Sequence, residues 1–287
     1  MYPARCTRSV HLMEHEYDGR LSARVLGPLV LERAGKPIPL GGRAQQALLA
    51  RLLLDANRTV AIDRLIEDLW GEHAPASAVK MVHIHVSKLR KLLPAGTLVT
   101  RAPGYALEIE PEALDLVRFE RLRQQGRPHD ALELWRGPAL AEFDEPFAIV
   151  ESARLDELHL ATLEDRIEAD LAAGRHPGLV GELEALVARN PLRERLRTQL
   201  MLARYRSGRH AEALAGYRDF RELLATELGI EPSATLRELE RRMLQQDPTL
   251  ELPRREPVDR HPLAHGRARS VAVRASRRRR CQLAISA

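Results

Sequence analysis

Three of the chain's four lysines, Lys80, Lys88 and Lys91, fall in one stretch, AVKMVHIHVSKLRKLLP (residues 78–94), although the other basic residues of the chain are almost all arginine. An α-helix turns about 100° per residue, so with Lys80 at zero, Ser87 falls at about 340°, Lys91 at about 20°, Ile84 at about 40° and Lys88 at about 80°. Val79, Val82, Val86, Leu89 and Leu93 fall between about 180° and 260°. The segment thus has an apolar face and a basic face, nearly opposite. Taken alone, such a helix is an ordinary surface helix with a solvated charged side. Two details work against that reading: the polar face carries no acidic residue, and Ile84 sits in its middle with no core to meet. A helix entering a DNA major groove wants this combination, with cations for phosphates, small polar groups for base edges and an apolar contact for a thymine methyl.

Other residues that could do chemistry lead nowhere comparable. His83 and His85 resemble a metal pair, but residues two apart on a helix point about 200° from one another and do not share an ion. His83, at about 300°, borders the basic face; His85, at about 140°, borders the core. Gly41-Gly42-Arg43 lacks the Gly-Lys-Ser/Thr ending of a phosphate loop. Glu164-Asp165 and Glu168, among Arg154 and Arg166, read as a solvated salt-bridge face. No Ser/His/Asp or Cys/His set has a workable spacing, and Cys6 and Cys281 lie at opposite ends of the chain. No catalysis, metal or cofactor is expected.

The elements that must position the basic helix can be read on either side of it. RVLGPLVLERAGKPIPLG suggests short strands at Val25–Leu26, Leu29–Glu32 and Ile38–Leu40, broken at Gly27-Pro28 and Gly35-Lys36. RAQQALLARLLLDANR (43–58) and IDRLIEDLWG (62–71) have helical spacing, the second with Gly71 as a stop. The basic helix follows, with Pro75 in its first turn or Ser77 as its cap, and Pro94 beyond its end. LVTRAPGYALEIE then reads as a hairpin, Leu98–Arg101 and Tyr105–Ile109 around Ala102-Pro103-Gly104.

Charge divides the chain in the same way. The formal charge of +5 hides +6 over residues 21–107, −8 over 108–250 and +7 over 251–287. A basic module joined to an acidic one points to a polyanionic partner for the first only. No apolar run reaches the roughly 18 residues of a membrane span, and no signal-peptide stretch opens the chain, so a cytoplasmic protein that touches no membrane is expected.

Strands, three helices and a hairpin make the layout of a winged helix-turn-helix. LGGRAQQALLARLLLDANRTVAIDRLIEDLWG, the helix ending HVSKLRKLL, and LVTRAPGYAL together resemble the OmpR-type DNA-binding domain, in the version carried by the Streptomyces antibiotic regulatory protein family; the resemblance runs from about residue 23 to 250. It implies that the third helix is the recognition helix. Lys80, Ile84, Ser87 and Lys88 would then contact bases, and Lys91 a phosphate, with His83 at the flank. The same resemblance puts Arg101 on the wing, against phosphate or an adjacent minor groove. Arg43 and Gln45, at the start of the first helix, would meet phosphates through a helix N-terminus.

From Pro111 onward the chain reads as helices. Gly174-Arg175-His176 and Gly208-Arg209-His210 recur at a spacing of 34, with Gly126-Arg127 as a less regular third instance, and that period is the tetratricopeptide signature. A helical bundle with a chance repeat is the blander reading. Residues 111–247, and ELGIEPSATLRELERRML above all, resemble the bacterial transcriptional activator domain of the same family.

The expectation is a mainly α chain in four parts: a disordered leader (1–20), a winged helix with short strands and a β-hairpin wing (21–110), an all-α tetratricopeptide-like domain (111–247), and a disordered Pro- and Arg-rich tail (248–287). Arg277–Arg280 in that tail add at most weak phosphate binding. The resemblance implies an activator of an antibiotic biosynthetic cluster. It would bind double-stranded promoter DNA at direct repeats as a homodimer and recruit RNA polymerase holoenzyme. Larger family members continue into an ATPase module; none is expected here, and so no nucleotide. The alternative is a tetratricopeptide-like adaptor that docks protein and does not read DNA.

Overall fold

The computed structural model describes residues 21–251. The leader 1–20 with Cys6, and the tail from residue 252 with Arg277–Arg280 and Cys281, lie outside the described residues. Three short strands open the fold: β1 (Leu21–Arg24), β2 (Val30–Arg33) and β3 (Lys36–Pro37), an antiparallel meander. Ala34 and Gly35 join β2 to β3 with φ of 51° and 71°, the left-handed pair that matches the twist of a tight hairpin. The strands expected at Val25–Leu26 and Ile38–Leu40 are not strands; β1 ends at Arg24 and β3 at Pro37. Val25 and Leu26 follow β1, and their N–H groups go instead to the Asp115 carboxylate at 2.8 and 3.0 Å.

Helices α1 (Arg43–Leu54), α2 (Ile62–Trp70) and α3 (Ala78–Leu92) follow, with strand β4 (Thr59–Ala61) between the first two. The chain turns out of α1 at Asn57, which is left-handed (φ 66°) and exchanges two side-chain hydrogen bonds with the Ile109 backbone. Strands β5 (Leu98–Arg101) and β6 (Gly104–Leu107) form the hairpin, and β4 pairs with β6 to give a sheet of order β4-β6-β5. Strand β4 is only three residues long and carries no composition signal of its own; its pairing with β6 defines it.

The helical part comprises α4 (Asp115–Gln124), α5 (Pro128–Leu132), α6 (Pro146–Ala172), α7 (His176–Arg189), α8 (Glu194–Arg206), α9 (His210–Glu227) and α10 (Ala234–Leu244). The three Gly-Arg motifs form one recurrent turn. Gly126, Gly174 and Gly208 have φ of 68°, 79° and 75°. The next N–H donates back to Leu122, Asp170 and Arg204 respectively at 2.9–3.0 Å. That is the left-handed helix stop that satisfies orphan carbonyls, and it folds α4 onto α5, α6 onto α7 and α8 onto α9.

The all-helical reading from Pro111 onward fails between α5 and α6: α5 stops at Leu132, Leu134 and Trp135 turn into the core, and Trp135 stacks on His159 at 4.2 Å and meets Phe119 edge-on. The tail does not begin at 248: Leu250 is buried in the last hydrophobic cluster and its carbonyl accepts from Arg206 Nε at 2.8 Å. Glu164 is not on a solvated face. It is 1% exposed and takes a two-pronged contact from Arg193 at 2.8 and 3.1 Å, which fastens α6 to the turn between α7 and α8. Arg154 and Arg166 pair elsewhere, with Glu151 and with Asp170 and Glu182.

The core shows no gap at 110/111. One cluster runs from Leu21 through α1, α2 and α3 to Leu114, Phe119, Phe143, Phe147 and Leu155. A second gathers α6, α7 and α8 from Ile167 to Ala203, and a third α8, α9 and α10. Helix α6 enters the first cluster with its N-terminal half and the second with its C-terminal half.

Candidate nucleic-acid interface

Helix α3 buries Ala78, Val82, Val86 and Leu89 against α1 and α2, which leaves the opposite side in solvent. Lys80, His83, Ile84, Ser87, Lys88 and Lys91 are all exposed there. Among the described residues, no carboxylate lies within ion-pair distance of Lys80, Lys88 or Lys91, whereas several arginines of the same module are engaged: Arg24 with Glu32, Arg51 with Asp55 and Asp68, Arg64 with Glu67 and Asp68. The lysine face is therefore uncompensated positive charge on a rigid element. His85 lies on the other flank, half-buried; burial and nearby Lys88 hold its imidazole below the usual histidine range, and its Nδ1 has no hydrogen-bond partner. His83 and His85 thus stand on different sides of the helix.

The wing is tied to this helix by Arg90, which the sequence reading passed over. Its Nε donates to the Leu98 carbonyl at 2.9 Å, a terminal nitrogen donates to Thr100 Oγ1 at 2.6 Å, and its guanidinium lies 5.7 Å from the centre of the Tyr105 ring. His83 meets the same ring edge-on at 6.3 Å. A planar fork that stacks on an aromatic face suits arginine and not lysine. The only hint in the sequence was an arginine among lysines at about 280°, on the border of the basic face.

Arg101 is exposed on β5 and pairs with Glu108 across the hairpin at 2.6 Å. Two residues assigned to phosphate contact are placed otherwise. Gln45 is only 6% exposed, and its backbone N–H donates to the Gly42 carbonyl, so neither group is free for a ligand. Arg43 is exposed but pairs with Asp144 at 2.6 Å and Glu145 at 3.6 Å, which raises its pKa above the ordinary arginine value and ties α1 to the start of α6. Val79 departs from the reading in the opposite sense. Expected on the apolar face, it is 46% exposed, although Ala78 beside it and Val82 one turn on are buried.

The junction behind the interface is held by Asp115, 3% exposed, which accepts from Val25 and Leu26 and lies 3.7 Å from Arg136. Burial pushes its carboxyl above the ordinary value, while the two N–H donors and Arg136 pull the other way. Leu26 in turn accepts from the Arg136 N–H, and Glu142 accepts from the Leu29 N–H.

Residues 35–107 match the family model described as "Transcriptional regulatory protein, C terminal", and residues 114–244 match "Bacterial transcriptional activator domain". The chain is 46% identical over 252 residues to the regulatory protein AfsR of Streptomyces coelicolor, an alignment covering 83% of this chain and 25% of AfsR. It is 35% identical over 257 residues to the regulatory protein DnrI of Streptomyces peucetius, covering 80% of this chain and 94% of DnrI. It therefore spans about a quarter of AfsR and nearly all of DnrI. The solved structure of Mycobacterium tuberculosis EmbR in complex with a low affinity phosphopeptide superposes with a TM-score of 0.72 at 38% identity, over 79% of this chain and 65% of that one.

Proposed function

This chain belongs to the Streptomyces antibiotic regulatory protein family of transcriptional regulators, and from that premise we propose that it binds promoter DNA sequence-specifically by laying α3 in the major groove. The observation that carries the proposal is the set of three lysines on the exposed side of α3 with no carboxylate to neutralise them. Lys80, Ile84, Ser87 and Lys88 contact base edges, Lys91 a phosphate, and His83 flanks the site. Arg101 reaches backbone or minor groove from the wing by leaving Glu108, an exchange that costs little because the pair is solvent-exposed. Gln45 has no part in this, and Arg43 would have to leave two carboxylates to join.

The same reading has two protomers on direct repeats, with half-sites about one duplex turn apart (~34 Å) or a multiple of it, the spacing at which neighbouring recognition helices meet the same face of the duplex. Recruitment of RNA polymerase holoenzyme and activation of an antibiotic biosynthetic cluster complete the reading. The helical part, net negative in charge, stays off the duplex.

A mobility-shift titration at several salt concentrations, on DNA flanking the gene of the protein, tests it. Binding should weaken steeply with salt. Lys88→Ala should weaken it further, by about 1–3 kcal/mol, as expected for a lost base contact. Ile84→Ala should relax preference at one base. Unchanged affinity in both variants would remove α3 from the groove and leave the adaptor reading in possession.

A further inference from the structure

Among the described residues of the winged helix, only two large apolar side chains are strongly exposed, Val79 at 46% and Ile84 at 43%. The others are buried or half-buried. Both lie on α3. Five residues apart, they are separated by about 7.5 Å along the helix axis and about 140° around it. Lys80, His83, Ser87 and Lys91 fall in the arc between them. The helix thus presents a polar, cationic stripe bordered on each side by one aliphatic side chain, and no carboxylate among the described residues pairs with those lysines.

The cations commit the face to a polyanion, and its apolar borders then need an apolar feature of that same polyanion. In the major groove the aliphatic feature of the base edges is the 5-methyl group of thymine. We propose, resting on the groove docking argued above, that Val79 and Ile84 are a pair of thymine-methyl readers. Each half-site then contains two thymines about two base steps apart, since 7.5 Å is roughly twice the 3.4 Å rise. The wide arc between the side chains directs them to opposite walls of the groove, one thymine in each strand. Val79 stands in the first turn of α3, the end from which recognition helices most often reach bases.

The full chain selects duplexes from a random-sequence library, and the enriched half-site is resynthesised with deoxyuridine in place of each thymidine in turn. That change deletes one methyl and keeps every hydrogen bond. Two positions should each weaken wild-type binding about 3- to 5-fold, the worth of one buried methyl. Val79→Ala should abolish the sensitivity at one of them and Ile84→Ala at the other. If no position is sensitive, or sensitivity survives in both variants, while Lys88→Ala still lowers affinity, the methyl readers are overturned and groove docking stands. If no sequence is enriched, or Lys88→Ala changes nothing, docking falls and the methyl readers fall with it.

Discussion

A methyl group added at Gly104 would sit 1.8 Å from the Val60 carbonyl oxygen and 2.7 Å from its carbon, inside the backbone of β4. The sequence shows Gly104 only as a turn residue after Pro103. Its reason in the fold is different: β4 and β6 come together across it, and any side chain would drive them apart. Gly104→Ala should therefore cost about 2–4 kcal/mol, near the upper end of single substitutions. Gly126→Ala has open space around it and should cost about 1–2 kcal/mol for its left-handed backbone alone. Urea denaturation of the full chain separates the two, and equal midpoints would contradict the close approach. Lys80, Ile84 and Lys88 were readable from spacing because one helix period decides what they face. Gln45 and Arg43 were not, because partners at Gly42, Asp144 and Glu145 claim them and the last two lie about a hundred residues away.

The helices of the winged part were legible, α2 and α3 to within a residue or two and α1 four residues too long, since apolar periodicity is a local signal. Strands fared worse. β4 is three residues long and exists because β6, more than forty positions later, pairs with it. Val25 and Leu26 have strand composition, yet the Asp115 carboxylate takes the N–H groups a ladder would have used. The wing itself was expected, but its attachment to α3 was not. Arg90→Ala removes two hydrogen bonds and a stacked cation, which in this half-exposed setting should cost about 1 kcal/mol of stability. Its larger effect should be on DNA: hydroxyl-radical protection at the outer edge of the footprint should fade while the central major-groove protection persists. Arg90→Lys should not restore it, because an ammonium lacks the planar fork. An undiminished outer footprint in both variants would mean that the wing holds its angle without Arg90.

Charge segregation along the chain correctly separated a basic part from an acidic one, and it suggested a border near residue 110. Packing does not respect that border. Leu114, Leu116, Phe119, Phe143, Phe147 and Leu155 fill the same interior as β1, α1 and α2. Charge is a surface property and the interior is not, so composition alone had no access to this. Burying such side chains is worth about 1.5–3 kcal/mol each, and their sum rivals the roughly 5–15 kcal/mol that holds a whole domain together. A fragment of residues 21–110 should accordingly melt without cooperativity and bind a hydrophobic dye, whereas residues 21–172, which keep α6, should give a sharp thermal transition. A cooperative melt of the shorter piece at the full-length midpoint would refute the shared interior. Anyone grafting the reading head of one such regulator onto the body of another inherits the problem. The seam at which a hybrid can heal lies within the long helix near Leu158 and Leu160, where one packed interior hands over to the next, and not in the loop where the two surfaces change sign.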